Sequence, residues 1–428
     1  MLRLPSVFSI MLYLILPVTR ADGAGWKSSS TIRTLFILFC LVLVCVNETW
    51  ASQPQFSSIT SRHGLSDNNI NAVLQDQRGF LWIATEAGLN RFDGYSIKTF
   101  THAKYPSDLP DDEIVTMHLI NEQLWLGTER GGLLIFHISK QTFEQIGFKK
   151  STEALLDGTT LSSSTVHALA WDGNNTVFIG TEGGGLNVFD LETNKIEYYF
   201  LDKNNPLSLC HNEIKVMHRS RDGIIWLGTV NGLNRLDPKT MAFVCYRTEP
   251  TNKNSLSNNE VVAIVEDELG NLWIGTEGGG INYFDIKLHT FSRYEHVPSN
   301  ITSLSNNEIQ SLLLTKDGTL WVGTESGLNR LIKGQAKFDR FWYQAQNKDS
   351  ISSNVISSTY QDRSGVVWVG TEGGGLNKMT PAAFNSDPSP KSSGAAWAGH
   401  RISAIFKDET GTIWVGSENQ GLFSYQPN

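Results

Sequence analysis

One short phrase recurs eight times along this chain: an aromatic residue, an aliphatic, Gly or Ala, then Thr or Ser. Its aromatic stands at Trp82, Trp125, Phe178, Trp226, Trp273, Trp321, Trp368 and Trp414, with intervals of 43 to 53 residues. A period of that size means a propeller, solenoid or array, because one unit cannot bury its own apolar face and must stack on a neighbour.

Aligned on the aromatic, each repeat resolves into four short segments. The first follows a Ser/Asn-rich loop, as in SLSNNEVVAIVED and SLSNNEIQSLLLT, and its aliphatic content suits a buried strand. A tight Asp/Gly turn comes next, for instance Asp76 to Gly79 and Asp362 to Gly365, with Asp folding onto nearby amides and Gly taking positive φ. The phrase itself is the second strand, a Gly-rich turn leads to the third (GLNRFD, GINYFD), and aromatic strings such as Phe291-Ser292-Arg293-Tyr294 mark the fourth. Four antiparallel strands in about 45 residues make a β-propeller blade, so the fold class is all-β. The ring is read as eight-bladed, closed by a strand at residues 56–59 pairing with the last blade. The alternative is a seven-bladed ring closed at the Trp368 repeat, with residues 402–425 beginning a second propeller; the irregular linker at 381–399 favours it.

Residues 1–51 stand apart from the repeats. An apolar run at 35–46, followed by Thr49-Trp50-Ala51, reads as a secretory signal cleaved after Ala51, or else as a short membrane anchor. Either sends residues 52–428 across a membrane, to a periplasmic or inner-membrane-anchored location, with membrane contact only through the N-terminal segment. A net charge of -8 without a basic run excludes nucleic acid as a partner, since phosphate neutralisation needs clustered cations. Cys210 and Cys245 lie in no ligand spacing and are expected to be buried or free thiols.

The strings SLSNNEI, D..G.LWIGT and GGGLN.FD resemble the two-component regulator propeller repeat, found in periplasmic sensor regions of hybrid histidine kinases and of related receptors with diguanylate cyclase outputs. The resemblance spans about residues 56–425. It implies a ligand-sensing, non-enzymatic module whose ligand is a small molecule or oligosaccharide fragment. Any kinase or cyclase activity would reside in a signalling partner or a C-terminal output domain. In that family two seven-bladed propellers precede a β-sandwich, a membrane helix and a cytoplasmic domain. Measured against this plan the chain is expected to be a truncated receptor, a mis-split gene or a free-standing sensing module.

An acid follows the phrase in seven repeats, at Glu86, Glu129, Glu182, Glu277, Glu325, Glu372 and Glu418. These are expected to form a ring on the loop face, chiefly structural, each accepting hydrogen bonds from its own turn or the adjacent loop. Departures from the repeat are better pointers to a ligand: Asp111 and Asp112 in DLPDDE, Arg130, His211 beside Cys210, Asn231 after Val230, and Trp397 with His400. The Asp/Gly turns lack the DxDxDG spacing of a calcium loop, and there is no HExxH, zinc cluster, GxSxG elbow or P-loop. No cofactor or metal is expected. An enzyme such as a lyase, or a pure protein-interaction scaffold, is the competing reading.

Overall fold

The computed structural model describes residues 54–102, 109–149, 158–332, 334–380, 402–408, 412–417 and 421–425. The proposed signal or anchor at 1–51 lies outside them. Apart from one short 3₁₀ turn, Ser61–His63, every regular element among the described residues is a strand. Seven four-stranded antiparallel sheets form, six of them meanders in chain order and the seventh completed by the N-terminal strand Gln55–Ile59. Their first strands, Ile70–Gln75, Ile114–Ile120, Val166–Trp171, Ile214–Arg219, Val261–Glu266, Ile309–Leu314 and Ile356–Gln361, adjoin one another around the axis.

The eight-bladed reading is corrected by contacts between the seventh blade and the first. Strand Gln55–Ile59 pairs with Gly375–Thr380, Phe56 opposite Met379, and so supplies the outer strand of the Trp368 blade. Trp368 lies edge-on to Phe92 of blade one, with ring centroids 6.2 Å apart. The Gly375 N–H donates to the Asn68 carbonyl at 2.9 Å, the same bond that joins Gly232 to Asn259 and Gly327 to Asn354 in neighbouring blades. Blade seven therefore fills the side of blade one that an eighth would need. The eighth repeat forms its own three-stranded sheet, Ile402–Lys407, Ile413–Ser417 and Gly421–Tyr425.

The phrase is explained by what lies across each blade interface. Trp82 packs on Phe136, Trp125 on Phe189 and Trp226 on Phe284, each in the third strand of the following blade. The Gly two positions later sits where backbones meet: a Cβ at Gly127 would stand 2.4 Å from the Val166 carbonyl. The turn Asp serves the same ring, since Asp76 Oδ2 accepts the Trp82 indole N–H at 2.9 Å and Asp362 accepts that of Trp368 at 2.8 Å.

A second device locks loop to sheet. In five blades a buried strand-three Asn accepts the backbone N–H of the loop Ser and returns an amide hydrogen to its hydroxyl, as Asn329 does with Ser305 at 2.9 and 2.8 Å. Ser66 with Asn90 and Ser257 with Asn282 repeat it. Blade two has Pro110 and Leu134 in these places. Proline has no N–H to satisfy, so the Asn is dispensable and a wholly buried Leu134 replaces it. Blade four has Cys210, which keeps the backbone bond to Asn234 but leaves the Asn234 Nδ2 without a partner.

Cys210 and Cys245 are joined as a disulfide, Cα atoms 5.9 Å apart, which corrects the expectation of free thiols. Cys245 lies opposite Asn234 in the ladder, as Arg293 lies opposite Asn282 and Arg340 opposite Asn329. Those arginines reach back to loop carbonyls, Arg293 to Ser255 and Leu256, Arg340 to Ser303 and Leu304. In blade four a covalent staple does what an arginine fork does in blades five and six.

Two outcomes follow from these locks. Asn329→Leu alone strands the Ser305 N–H and is expected to lower unfolding free energy by about 1–3 kcal/mol, whereas Ser305→Pro with Asn329→Leu, copying blade two, should cost less in a urea titration. Reducing Cys210–Cys245, which closes a span of 35 positions, should lower stability by about 4 kcal/mol on a chain-entropy argument. A Cys210→Ser/Cys245→Arg double variant should melt identically with and without reductant.

Candidate functional site

Every inner strand is irregular at one place. The ladder shifts between Ile70 and Ala72, Ile114 and Thr116, Val166 and Ala168, Ile214 and Val216, Val261 and Ala263, Ile309 and Ser311, and Ile356 and Ser358. A bulge re-aims the extra side chain and marks functional rims of barrels. The extra residues are Asn71, Val115, His167, Lys215, Val262, Gln310 and Ser357, all half-buried. They sit on the strands nearest the axis, close to the loop face, and several reach sideways. Asn71 Nδ2 donates to the Ile114 carbonyl at 2.9 Å, and the Ser357 hydroxyl donates to the Ile70 carbonyl of the next blade. This circle of seven side chains, six kinds among them with valine in blades two and five, is the candidate site.

Carboxylates rim it in two tiers. Glu113, Glu213, Glu260 and Glu308 end the loops before the inner strands; Glu129, Glu182, Glu277 and Glu325 follow the second strands. Their backbones are tied together, Glu129 N to Glu113 O at 3.0 Å and Glu277 N to Glu260 O at 3.0 Å. Val230 makes the equivalent bond to Glu213, so this backbone contact does not require an acid. Glu86 accepts the Asn69 amide at 2.7 Å. Elsewhere the acids crowd one another. Burial first, then Glu113 and Glu182, hold Glu129 above the ordinary glutamate range. Burial and Glu277 do the same to Glu260, and burial with Glu277 and Glu325 to Glu308.

Two bulge residues answer this charge. Lys215 Nζ lies 2.7 Å from Glu213; burial works against its charge, but Glu213, Glu260 and Glu182 hold the ammonium above the usual lysine value. His167 Nε2 is 3.9 Å from Glu129 Oε2, its Nδ1 is buried without a partner, and burial together with Lys215 pushes its pKa down. His167 is thus held neutral, able to donate or accept toward a bound molecule. No group of three His, Cys, Asp or Glu residues arranged for a metal occurs among the described residues.

The residues singled out from the sequence lie on this loop face but do turn work there. Asp111 Oδ2 accepts the N–H groups of Arg130 and Gly131, both at 2.8 Å. Asp112 accepts the His102 N–H, as Asn259 accepts that of Thr248. His211 Nδ1 accepts the Glu213 N–H at 3.1 Å, the bond Asn258 makes with Glu260. Arg130, with its side chain 77 % exposed, pairs with Glu113 at 2.7 Å, and the Asn231 carbonyl receives Arg247 at 3.0 Å. Trp397, His400 and Glu418 lie outside the described residues. The bulge residues escaped the sequence reading because attention went to departures in the loops. Their signal was present: in INAVLQ, VHALAW, IKVMHR, VVAIVE, IQSLLL and ISSTYQ, the second position ranges over Asn, His, Lys, Val, Gln and Ser between an Ile or Val and a small residue (Ala, Val or Ser).

Five segments, residues 64–87, 255–278, 303–326, 350–373 and 397–419, match the model of the two component regulator propeller. Among solved structures, the chain is similar to the extracellular domain of a protein described as a hybrid two component system from B. thetaiotaomicron, with 24 % identity, a TM-score of 0.64, and 87 % of this chain on 48 % of that one. A second B. thetaiotaomicron extracellular domain, described as from a one component system, gives 26 % identity and a TM-score of 0.62 over 87 % and 46 %. Virginiamycin B lyase from Staphylococcus aureus is similar at 12 % identity and a TM-score of 0.55, over 77 % and 99 %; that likeness shows the fold alone. This chain spans about half the length of the two B. thetaiotaomicron chains. No curated protein matches it.

The crowded carboxylates predict a pH dependence. A carboxyl whose folded-state pKa is raised weakens the fold when ionised, and that cost disappears as pH falls through the raised value. Glu260→Gln should therefore melt higher than the parent at pH 8, the gap closing below the ordinary glutamate pKa of 4.5. A parent equal to or above the variant at pH 8 would contradict this.

Proposed function

We propose that this chain, built of two component regulator propeller repeats, is the extracytoplasmic ligand-sensing propeller of a signal-transduction receptor. The observation that carries the reading is the axial circle of Asn71, Val115, His167, Lys215, Val262, Gln310 and Ser357. Selection for folding alone would favour one residue there as it favours the Trp and the Gly; a pocket for an asymmetric molecule needs side chains that vary around the ring, and six kinds occupy the seven places. Amides, a hydroxyl, an imidazole and surrounding carboxylates match a polyhydroxylated neutral ligand such as an oligosaccharide fragment. The acidic rim disfavours an anion, and Lys215 is already engaged by Glu213. Arg130, Asp111, Asp112, His211 and Asn231 frame the mouth rather than its floor. The Cys210–Cys245 disulfide supports an oxidising, extracytoplasmic compartment. Output would come from a signalling partner or a further domain.

One observation favours a second reading. His167, kept neutral beside Glu129, is a general base poised next to an acid, which a propeller lyase would use. Thermal shift with a panel of neutral oligosaccharides separates the two. Sensing predicts that one glycan at a hundredfold excess over its Kd stabilises the protein by about 2.7 kcal/mol, that Gln310→Ala or Asn71→Ala removes the shift, and that the glycan is recovered intact. A new product in the mass spectrum, lost with His167→Ala, would decide for catalysis.

A further inference from the structure

Blade five breaks the pattern of cross-strand pairing at its tryptophan. Directly opposite the strand-two aromatic, four of the seven blades carry a cation, Arg91 in blade one, Arg235 in blade four, Arg330 in blade six and Lys378 in blade seven, while blades two and three carry the aliphatic Ile135 and Val188. In two of these the cation lies over the ring, Arg330 at 5.8 Å from the Trp321 centroid and Lys378 at 5.8 Å from that of Trp368. Opposite Trp273 stands Tyr283. The following blade changes too: where Trp82, Trp125 and Trp226 meet a phenylalanine, Trp273 meets the smaller Leu331. Trp273 is left half-buried, while the other phrase tryptophans of the ring are buried.

The vacated space is a pocket of about 560 Å³ between blades five and six. Its walls are Trp273, Tyr283 and Tyr294. The rings of Tyr283 and Tyr294 stand 4.7 and 5.5 Å from that of Trp273, inclined at 52° and 48°, so they form a corner rather than a stack. Tyr283 is pinned, its hydroxyl donating to Asp267 Oδ2 and accepting from Asn271 Nδ2, both at 2.8 Å. Asp267 and Glu268 add negative charge, Leu269 and Leu314 add apolar wall, and none of the lining residues among those described is basic.

We propose that this pocket binds an organic cation, an ammonium or guanidinium on a short aliphatic carrier. The chain itself shows the chemistry: in sister blades the same tryptophan position is offered a guanidinium or an ammonium from its own third strand. Blade five keeps the ring, the strand-four aromatic that also flanks it in blades one, four and six, and the turn aspartate; it adds Tyr283 and Glu268 and carries no cation opposite the ring. Aromatic faces attract a cation electrostatically, the more so when partly desolvated. The site lies between blades and is separate from the axial circle, so it stands or falls independently of the oligosaccharide reading.

The test is calorimetric titration of the intact chain with choline, with arginine, and with 3,3-dimethylbutanol, the neutral shape analogue of choline. Saturable binding of a cation, at least about tenfold tighter than the alcohol, is expected. Tyr283→Arg, which restores the arrangement of blades one, four and six, should fold normally and abolish binding. Glu268→Gln should weaken it. A blocked pentapeptide with one central arginine separates the sources of the ligand. Tighter binding of the peptide than of free arginine assigns a basic side chain of a protein partner; the reverse assigns a free small molecule. Equal binding of the alcohol, undiminished binding by Tyr283→Arg, or binding of none of these probes overturns the proposal.

Discussion

The tryptophan that leaves its own blade to pack on the next one is the contact on which the rest depends. A four-stranded sheet of this size cannot bury both faces by itself. Each blade therefore leans a large ring onto the third strand of its neighbour, and the Gly after it lets the two backbones close to a distance that a Cβ would forbid. Because every interface uses the same pair of devices, stability accrues from blade to blade, and the ring is sound only when the last interface matches the others. Trp368 on Phe92 and Gly375 on Asn68 make that match at seven. The eighth repeat, in its own sheet, shows the contrast: Ile405 is 70 % exposed and Trp414 is 36 % exposed, whereas five of the six phrase tryptophans of the ring are buried.

Once the frame is held by these repeated contacts, single positions can vary if their partners vary with them. Pro110 with Leu134 is one such pair, a lost donor matched by a lost acceptor. Cys210 with Cys245 is another, a covalent bond in place of an arginine on carbonyls, at the cost of one unpaired amide on Asn234. These exchanges sit on the loop face, where they resemble functional departures when viewed in sequence alone. Their explanation is local hydrogen-bond satisfaction. Asp111, Asp112 and His211 belong to the same class, since carboxylate, amide and imidazole can all accept the N–H that the turn presents.

The blades, their strand order and the role of the phrase were readable because a repeated sequence reports the same environment eight times. Blade number was not, since alike interfaces carry no count, and only the irregular stretch 381–399 hinted where the ring ends. The disulfide was hidden because its meaning lies in the comparison of FVCY with FSRY and FDRF, where a cysteine takes an arginine's place. The candidate site was hidden for the opposite reason. A bulge residue looks like any other strand residue until the register shift is seen, and only its wider variation between an Ile or Val and a small residue betrays it.

That distinction bears on how a symmetric scaffold recognises an asymmetric molecule. The acids recur in most blades, after the second strand in six of the seven and before the inner strand in four, and so create a broadly negative field that concentrates or repels by charge without selecting a shape. Selectivity has to come from positions released from the repeat. The bulges supply seven such places in one circle, and blade five supplies another between blades by trading an arginine for Tyr283. In both cases the recurring aromatic and the Gly or Ala two positions after it hold the geometry fixed, so a side chain can change its chemistry without disturbing its neighbours. The same constancy that makes the blades interchangeable leaves their inner rims free to differ.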